Sequence, residues 1–323
     1  MRVAIIASSR DPAGKTIHVA LREKPALGDA KVPDISIQLI DQELLAADNL
    51  EKAIPANLFI FASKHRSSSN TKSFAVHSIG NWDIANAGGK DKELCQSPAL
   101  LQREIFLSLL KRQREGYEVT MEATHHGPFT SVPSVFVEVG STEEEWNDKE
   151  NARIIAESIL EGLDDYLKAK EAKASGPDSM DKIANDKNSM GENSNEKNNN
   201  NETPMVNERM ENKKYGNNKT MKENENNRNG RAKIAVGIGG PHYCNNFNKL
   251  VSRKDYAIGH ICPKHHLEKL DEEMLRQAIE KTVGKVDAIV LDWKGLGQEK
   301  ARLLDVLKIF DIPVERTDQL LKE

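Results

Sequence analysis

Cysteine is scarce in this chain, which holds only three in 323 residues: Cys95, Cys244 and Cys262. An odd and sparse set of cysteines excludes the disulfide framework of small secreted proteins and favours a reducing compartment. No two of them have the Cys-x-x-Cys spacing, which excludes a structural zinc finger as well.

Long apolar runs and an excess of positive charge are also missing. No run approaches the roughly 20 residues of a membrane-spanning helix, and the apolar start at residues 1–7 is too short for the core of a signal peptide. The 46 Lys and Arg nearly balance the 50 Asp and Glu, so nucleic acid would have to bind a local basic loop. We expect a cytoplasmic monomer with no membrane partner and no obligate protein partner.

Branched apolar residues are almost absent from residues 174–230, where Asn, Lys, Glu and Ser dominate. Such a segment buries too little apolar surface to offset the entropy lost on ordering, which predicts a disordered insertion. The insertion would divide a single α/β catalytic domain into a first part, 1–173, and a second part, 231–323.

Apolar runs and amphipathic runs alternate along the rest of the chain. The predicted strands are residues 3–7, 35–40, 58–62, 73–79, 117–123, 135–139, 232–238 and 286–291. The predicted helices are residues 99–115, after Ser97 as N-cap, and residues 151–167, 271–283 and 298–310. This order predicts an α/β fold, a three-layer α/β/α sandwich around a mixed sheet, with the insertion between two halves of that sheet.

Histidines follow several of these strands, beside glycine or proline. His125 and His126 come directly after a strand that contains Glu122, His242 and His260 follow later apolar runs, and Glu138 lies within the next strand. Imidazoles presented by rigid strand ends suit a metal site or an acid–base site. Ligands of open α/β sheets gather at the carboxyl ends of strands, where these histidines are able to converge.

A basic, hydroxyl-rich loop follows the strand at residues 58–62. Lys64, His65 and Arg66 precede a run of serines, a combination that suits the binding of phosphate groups. An ordinary solvent-exposed loop would have the same composition. Asn81 and Trp82 end the next strand and offer an amide and an aromatic face to a base or sugar. Nucleotide-binding alternatives fail, since the Gly-Lys-Thr at residues 14–16 lacks the first P-loop glycine and residues 237–240 do not match the dinucleotide fingerprint.

Taken together, the motifs resemble those of the archaeal- and plant-type D-aminoacyl-tRNA deacylases. The motifs span the ordered chain in the family's order: Ser-Lys-His-Arg-Ser at 63–67, His-Ser-Ile-Gly-Asn-Trp at 77–82, Glu-Ala-Thr-His-His-Gly-Pro at 122–128, Glu-Val-Gly at 138–140, Gly-Gly-Pro-His-Tyr at 239–243, Gly-His at 259–260 and Asp-Trp-Lys-Gly at 292–295. The resemblance implies hydrolysis of the ester between a D-amino acid and tRNA, a zinc ion and a phosphorylase/peptidyl-hydrolase-like fold.

With that activity in view, the candidate residues receive provisional roles. We expect His125 and Glu122 to be catalytic, and the zinc ligands to be His126, Glu138, His242 and His260. Contacts to tRNA are expected from Lys64, His65, Arg66, Asn81, Trp82 and Lys294. Two roles stay open for Glu122: it is either a general base or a partner that orients an imidazole. Two other functions stay open: a zinc peptidase or amidohydrolase, and a non-catalytic RNA-binding module.

Overall fold

Two β-sheets organise the molecule, whose computed structural model describes residues 1–24, 34–174 and 232–322. The first is mixed and has the order β2-β1-β3-β6-β4-β5, and the second is parallel with the order β10-β9-β7-β8. The strands are β1 (Arg2–Ser8), β2 (Asp34–Ile40), β3 (Leu58–His65), β4 (Ser73–Ser78), β5 (Glu118–Met121), β6 (Ser134–Gly140), β7 (Lys233–Ile238), β8 (Tyr256–Cys262), β9 (Ala288–Leu291) and β10 (Val314–Arg316).

Helices connect and cover these strands. They are α1 (Pro12–Arg22), α2 (Ala99–Lys111), α3 (Glu143–Asn147), α4 (Lys149–Ala174), α5 (Asn245–Arg253), α6 (Glu272–Glu280), α7 (Lys300–Leu307) and α8 (Thr317–Leu320). Among the residues described, no helix is both long and apolar enough to cross a membrane.

Each sheet is buried on both faces, which explains the nearly continuous apolar strands. Alternate residues of β1 separate the two cores of the first sheet: Val3 and Ile5 pack against helices α1, α2 and α4, whereas Ala4 and Ile6 pack against 3-10 turns and loops. The second sheet packs one face on α2 and α5 and the other on α6 and α7. The predicted α/β class with a mixed sheet is confirmed.

The two parts of the chain meet at the end of β5. Ala123 donates its backbone N–H to the carbonyl of His242 at 3.0 Å, and Cys244 donates to Met121 at 3.1 Å. One residue further along, Thr124 donates to the carbonyl of Ile261 at 3.0 Å. Beyond these contacts the second part forms its own four-stranded sheet, so the prediction that both parts belong to one sheet is wrong.

Other sequence predictions need correction at their boundaries. Pro98 caps α2, while the Ser97 side chain bonds the Ser78 hydroxyl instead. The expectation missed α1, α3, α5, α8 and β10, and it placed His260 after an apolar run, although β8 contains His260 and continues to Cys262. The predicted insertion lies outside the described residues, except for Ala174 at the end of α4.

Candidate metal and catalytic centre

Seven histidine and glutamate side chains meet where β3, β4, β5 and β6 approach the segment after β7. This histidine–glutamate cluster consists of His65, His77, Glu122, His125, His126, Glu138 and His242. Strand register builds its centre, because Glu138 pairs with Ser63 of β3 on one side and with Ala75 of β4 on the other. The His125–His126 turn follows β5 directly, so its imidazoles reach the same place.

Three histidines of the cluster are held in the same way by the backbone. His77 Nδ1 lies 3.0 Å from the carbonyl of Ser78, His125 Nδ1 2.7 Å from that of Ala123, and His126 Nδ1 2.6 Å from that of Gly127. A carbonyl only accepts, so in each ring Nδ1 carries a hydrogen, and in the neutral form of the ring Nε2 keeps its lone pair. Metal-bound histidines have this arrangement, in which the second nitrogen donates to a carbonyl.

Electrostatics favour the neutral form of the two turn histidines. Desolvation and the neighbouring histidines lower the pKa of His125 well below its usual value. The same two causes lower the pKa of His126 to about 4. Both rings are therefore neutral near pH 7, which is the form that binds a cation.

Glu138 is a buried carboxylate held in its ionised form. Burial alone raises its pKa, but interactions with His65 and His77 outweigh burial and lower the pKa well below the usual range. Ser63 Oγ donates to Glu138 Oε1 at 2.7 Å, and His65 Nδ1 lies 3.2 Å from Oε2. Burial lowers the pKa of His65, yet the hydrogen bond to Glu138 and the nearby carboxylates raise it on balance. Glu138 is thus fully engaged inside the protein.

Glu122 is buried too, but its carboxylate is not satisfied. Its side chain has no exposed surface, and neither of its oxygens has a hydrogen bond within the described residues. The nearest groups are His65 Nδ1 at 3.3 Å, His242 Nε2 at 3.5 Å and His125 Nε2 at 3.8 Å. Since buried polar atoms are nearly always paired, this carboxylate is a candidate for contact with a group beyond the chain itself.

The cluster suits a metal ion. Ligand atoms of three overlapping groups lie within 4.8 Å of one another. The groups are His77–His125–His126, Glu122–His125–His242 and His65–Glu122–Glu138. Nε2 of His77 and both oxygens of Glu122 are buried without a hydrogen-bond partner in the described chain, as ligands left unpaired by the protein would be. Imidazole nitrogen and carboxylate oxygen are both ligand atoms that bind zinc.

Two side chains open the cluster toward solvent. The side chains of His125 and His242 are 30% and 40% exposed, whereas Glu122 is enclosed. Tyr243, beside His242, is half-buried and places its hydroxyl 2.9 Å from His65 Nε2. The cluster is therefore open to solvent at His242 and His125.

The structure brings most of the sequence-predicted site residues together, with one exception. Glu122, His125, His126, Glu138 and His242 all belong to the cluster. His260 is fully buried in β8, with Nε2 2.9 Å from the Cys95 carbonyl and Nδ1 3.3 Å from Thr124 Oγ1. Both of its nitrogens are engaged, so the geometry argues against the expected ligand role.

The residues expected to contact tRNA divide by exposure. Arg66 and Lys294 are exposed and Lys64 is half-exposed. The other three are buried and bonded to protein: His65 joins the cluster, Asn81 donates to the carbonyls of Gly88 and Lys90, and Trp82 Nε1 donates to that of Thr124. Their side chains are not available to tRNA in this structure, which corrects that part of the expectation.

Sequence reasoning assigned no role to His77 and Tyr243. His77 follows an apolar run in β4, as His125 follows the run in β5, and the same signal identifies both. For His65, the informative pattern is the alternation of side chains along β3, since successive side chains of a strand point to opposite faces. Lys64 and Arg66 therefore face away from His65, which lies inside.

The chain is similar to known proteins over most of its length. A family model described as D-aminoacyl-tRNA deacylase matches residues 53–178 and 206–315. The D-aminoacyl-tRNA deacylase of Thermococcus kodakarensis is 31% identical over 269 residues, which cover 81% of this chain and 76% of that protein. The one from Methanocaldococcus jannaschii is 30% identical over 329 residues, which cover 98% and 100%. In fold, the chain is similar to a crystal structure of a conserved protein of unknown function, with a TM-score of 0.72 at 23% identity, covering 100% of this chain and 97% of that one.

Proposed function

The chain belongs to the D-aminoacyl-tRNA deacylase family, and from that premise we propose that its histidine–glutamate cluster hydrolyses the ester between a D-amino acid and the 3′ end of tRNA. Water adds to the ester carbonyl, the bond to the ribose oxygen breaks, and a free D-amino acid and tRNA leave. The observation that carries this proposal is the buried Glu122 carboxylate, which has no hydrogen bond in the described chain and lies near His125, one of three histidines whose metal-binding atoms converge.

We assign zinc to Nε2 of His77, His125 and His126. The Nδ1–H groups of these rings are held by backbone carbonyls, and Glu138 Oε1 lies 3.8 Å from His77 Nε2 and 4.0 Å from His126 Nε2. When bound, zinc polarises the ester carbonyl and makes a water molecule more acidic. This assignment keeps His126 as a ligand, moves His125 from catalysis to binding, and places Glu138 beside the metal.

Glu122 is the general base in this proposal. Its unpaired oxygens accept a proton from the attacking water, and the same carboxyl then returns that proton to the ribose oxygen as the ester bond breaks. His242 lies 3.5 Å from Glu122 and is partly exposed, so it contacts the substrate at the mouth of the cluster. His65 and Ser63 hold Glu138 in place and leave Glu122 the free carboxylate.

Binding of tRNA is assigned to the exposed cations near the cluster. Arg66 lies 5.5 Å over the ring of Trp146, and the backbone N–H of Lys64 is anchored on Asp11 at 3.0 Å. Both residues flank His65 in sequence and present their charges to solvent, so we assign them to phosphate groups of the tRNA outside the cluster. Lys294 is the third exposed cation of the set. The expected monomeric state and cytoplasmic location stay predictions.

One assay tests the function and separates it from the alternatives. The protein is incubated with D-Tyr-tRNA, L-Tyr-tRNA and a peptide amide, each with and without a chelator. We expect release of D-tyrosine alone, abolished by the chelator and restored by zinc. Equal rates on both enantiomers contradict the chiral preference, and cleavage of the amide would favour a peptidase or amidohydrolase. Binding of tRNA without hydrolysis would favour the RNA-binding module.

The zinc assignment has its own test. His126→Ala is expected to lose bound zinc and at least two orders of magnitude in rate while the fold survives. His18→Ala, on α1, is the matched control and keeps both. Full zinc occupancy in an inactive His126→Ala would move this residue from metal binding to proton transfer.

A further inference from the structure

Tyr243 comes to the cluster by backbone pairing across the two parts of the chain. Glu122 and Tyr243 form an antiparallel bridge, with the neighbouring Ala123 N–H bonded to the His242 carbonyl. The position of the tyrosine relative to Glu122 is therefore fixed by the backbone, and its side chain extends toward His65.

His65 is the only group in the described chain that contacts both carboxylates through one atom. Its Nδ1 lies 3.2 Å from Glu138 Oε2 and 3.3 Å from Glu122 Oε1, and its Nε2 lies 2.9 Å from the Tyr243 hydroxyl. The ionised carboxylate of Glu138 only accepts hydrogen bonds, so Nδ1 must carry a hydrogen. The hydroxyl of Tyr243 occupies the opposite end of the ring.

The surroundings of His65 leave rotation of its imidazole ring as the main motion open to the side chain. Trp146 Nε1 donates to the His65 carbonyl at 3.0 Å, which fixes the backbone. A Cβ on Gly140 would come within 2.9 Å of the His65 ring, so β6 packs directly on one side of it. The ring cannot move away, but a half-turn would exchange Nδ1 for carbon opposite the carboxylates.

We propose that Tyr243 is a positioning residue for the hydrolysis, which acts through His65 on Glu122. Its hydroxyl holds Nε2, and this keeps the Nδ1–H bonded to Glu138 and within 3.3 Å of Glu122 Oε1, so that Glu122 stays turned toward His242 and His125. Because Glu122 is the base only if the proposed function holds, the catalytic role of Tyr243 rests on that function. Without the hydroxyl, the ring populates a second orientation and Glu122 loses its alignment.

The kinetic test compares two tyrosines that each use their hydroxyl. Tyr243→Phe keeps the ring and removes only the hydroxyl; Tyr256→Phe does the same at a remote site, where the hydroxyl donates to Glu315 Oε2 at 2.6 Å. We expect Tyr243→Phe to lower single-turnover kcat for D-Tyr-tRNA about tenfold, the rate equivalent of one hydrogen bond, with KM unchanged within twofold. Tyr256→Phe leaves both values unchanged.

A second readout needs no substrate. In protein labelled with 15N-histidine, the signals of His65, assigned by their loss in His65→Gln, report which ring nitrogen carries hydrogen. We expect one defined form in the wild type and in Tyr256→Phe, and altered or broadened signals in Tyr243→Phe. In the double variant with His65→Gln, the rate effect of Tyr243→Phe should vanish, since the hydroxyl acts through that ring.

The possible results separate cleanly. Unaltered His65 signals together with a wild-type kcat in Tyr243→Phe would overturn the proposal. A raised KM at unchanged kcat would also overturn it, because Tyr243 would then contact the substrate itself. If the wild type does not hydrolyse D-Tyr-tRNA, the proposed function fails, while altered His65 signals in Tyr243→Phe still support the structural link.

Discussion

Two fully buried histidines lie on strands of different sheets, close to where the two sheets meet, yet their surroundings differ in kind. His77 is in β4 and His260 in β8, and the hydroxyl of Ser78 donates to the Gly259 carbonyl between them at 3.0 Å. His260 has a partner for each nitrogen, whereas Nε2 of His77 has no hydrogen bond in the described chain. Burial alone therefore does not distinguish a structural histidine from a functional one, but hydrogen-bond satisfaction does.

The same contrast extends to the groups around each histidine. His260 belongs to a polar seam whose other members are Ser78, Ser97, Gln102 and Thr124, and these side chains are bonded to one another or to the backbone. The histidine–glutamate cluster leaves both oxygens of Glu122 without such bonds. A satisfied seam rigidifies the junction of the two sheets, while the unsatisfied cluster is free to engage water, metal and substrate.

The pKa values of the two histidines follow the same division. Burial, and to a smaller degree Lys281, lowers the pKa of His260 to about 3. Burial also lowers the pKa of His77, but Glu138 and Glu122 reverse this and raise it on balance. The two carboxylates therefore stabilise a positive charge at His77. Either a proton or a metal cation at Nε2 would supply that charge.

The largest effect is expected at Glu122, the least satisfied group of the cluster. Glu122→Gln keeps the shape and removes the base, so single-turnover hydrolysis should fall by two to four orders of magnitude. Thermal stability should be unchanged or higher, because a buried carboxylate without hydrogen bonds is replaced by a neutral amide. The exposed Glu144→Gln serves as control. An active Glu122→Gln would leave this carboxylate as a partner that orients histidine, the other role open from the sequence.

His77→Ala sharpens the comparison from the side of the cluster. We expect zinc to be lost and the rate to fall by at least two orders of magnitude, since one of three converging Nε2 atoms is removed. Metal content of the purified variant and single-turnover rate are the measurements. Retention of full zinc with normal activity would break the contrast, because His77 would then be as structural as His260.

His260→Ala is the reciprocal variant in the seam. It removes a packed ring and strips partners from the Cys95 carbonyl and Thr124 Oγ1, which should cost about 2–4 kcal/mol of unfolding free energy. The folded fraction should keep its zinc and most of its kcat. Loss of metal from a still-folded His260→Ala would restore the ligand role first expected for this residue.

Sequence patterns predicted where chemistry would lie better than which atoms would perform it. A strand that ends in histidine was a sufficient signal for the position of His125, His126 and His242. It misled at His260, because β8 continues two residues further and draws that ring into the interior. Satisfaction of ring nitrogens depends on carbonyls distant in sequence, such as that of Cys95, and no local pattern encodes it.

The fold, like the site, was only partly predictable from local sequence patterns. Apolar runs located eight of the strands within a few residues, since burial on both faces leaves a clear signal. The helix α1 begins with Pro12 and Gly14, two residue types that are typical of loops. Glycine suits position 14 because the helix approaches the backbone of Ser8 and Ala62 closely there. Division into two sheets depends on pairings between distant segments, which sequence periodicity does not contain.

A smaller effect is expected on the outer side of β3, where side chains alternate with His65. Replacement of both Lys64 and Arg66 by Ala should raise KM for D-Tyr-tRNA and reduce the slope of log KM against log salt by about one to two. The single-turnover rate at saturation should change little, because these cations bind phosphate and do not touch the ester. A collapse of the saturated rate would instead place one of them at the reacting carbonyl.

The smallest effect is expected from the segment that separates the two parts in sequence. Both the cluster and the seam are assembled across those parts by contacts, such as Ala123 with His242 and Thr124 with Ile261, which do not involve residues 175–231. Replacing residues 176–230 by a flexible Gly/Ser linker of about 15 residues shortens the closing loop and changes its entropy by only about 1 kcal/mol. Activity and Tm should therefore stay within twofold and a few degrees of the wild type. A large loss of either, with a longer linker giving no rescue, would show that this segment folds or binds and that contacts alone do not join the two parts.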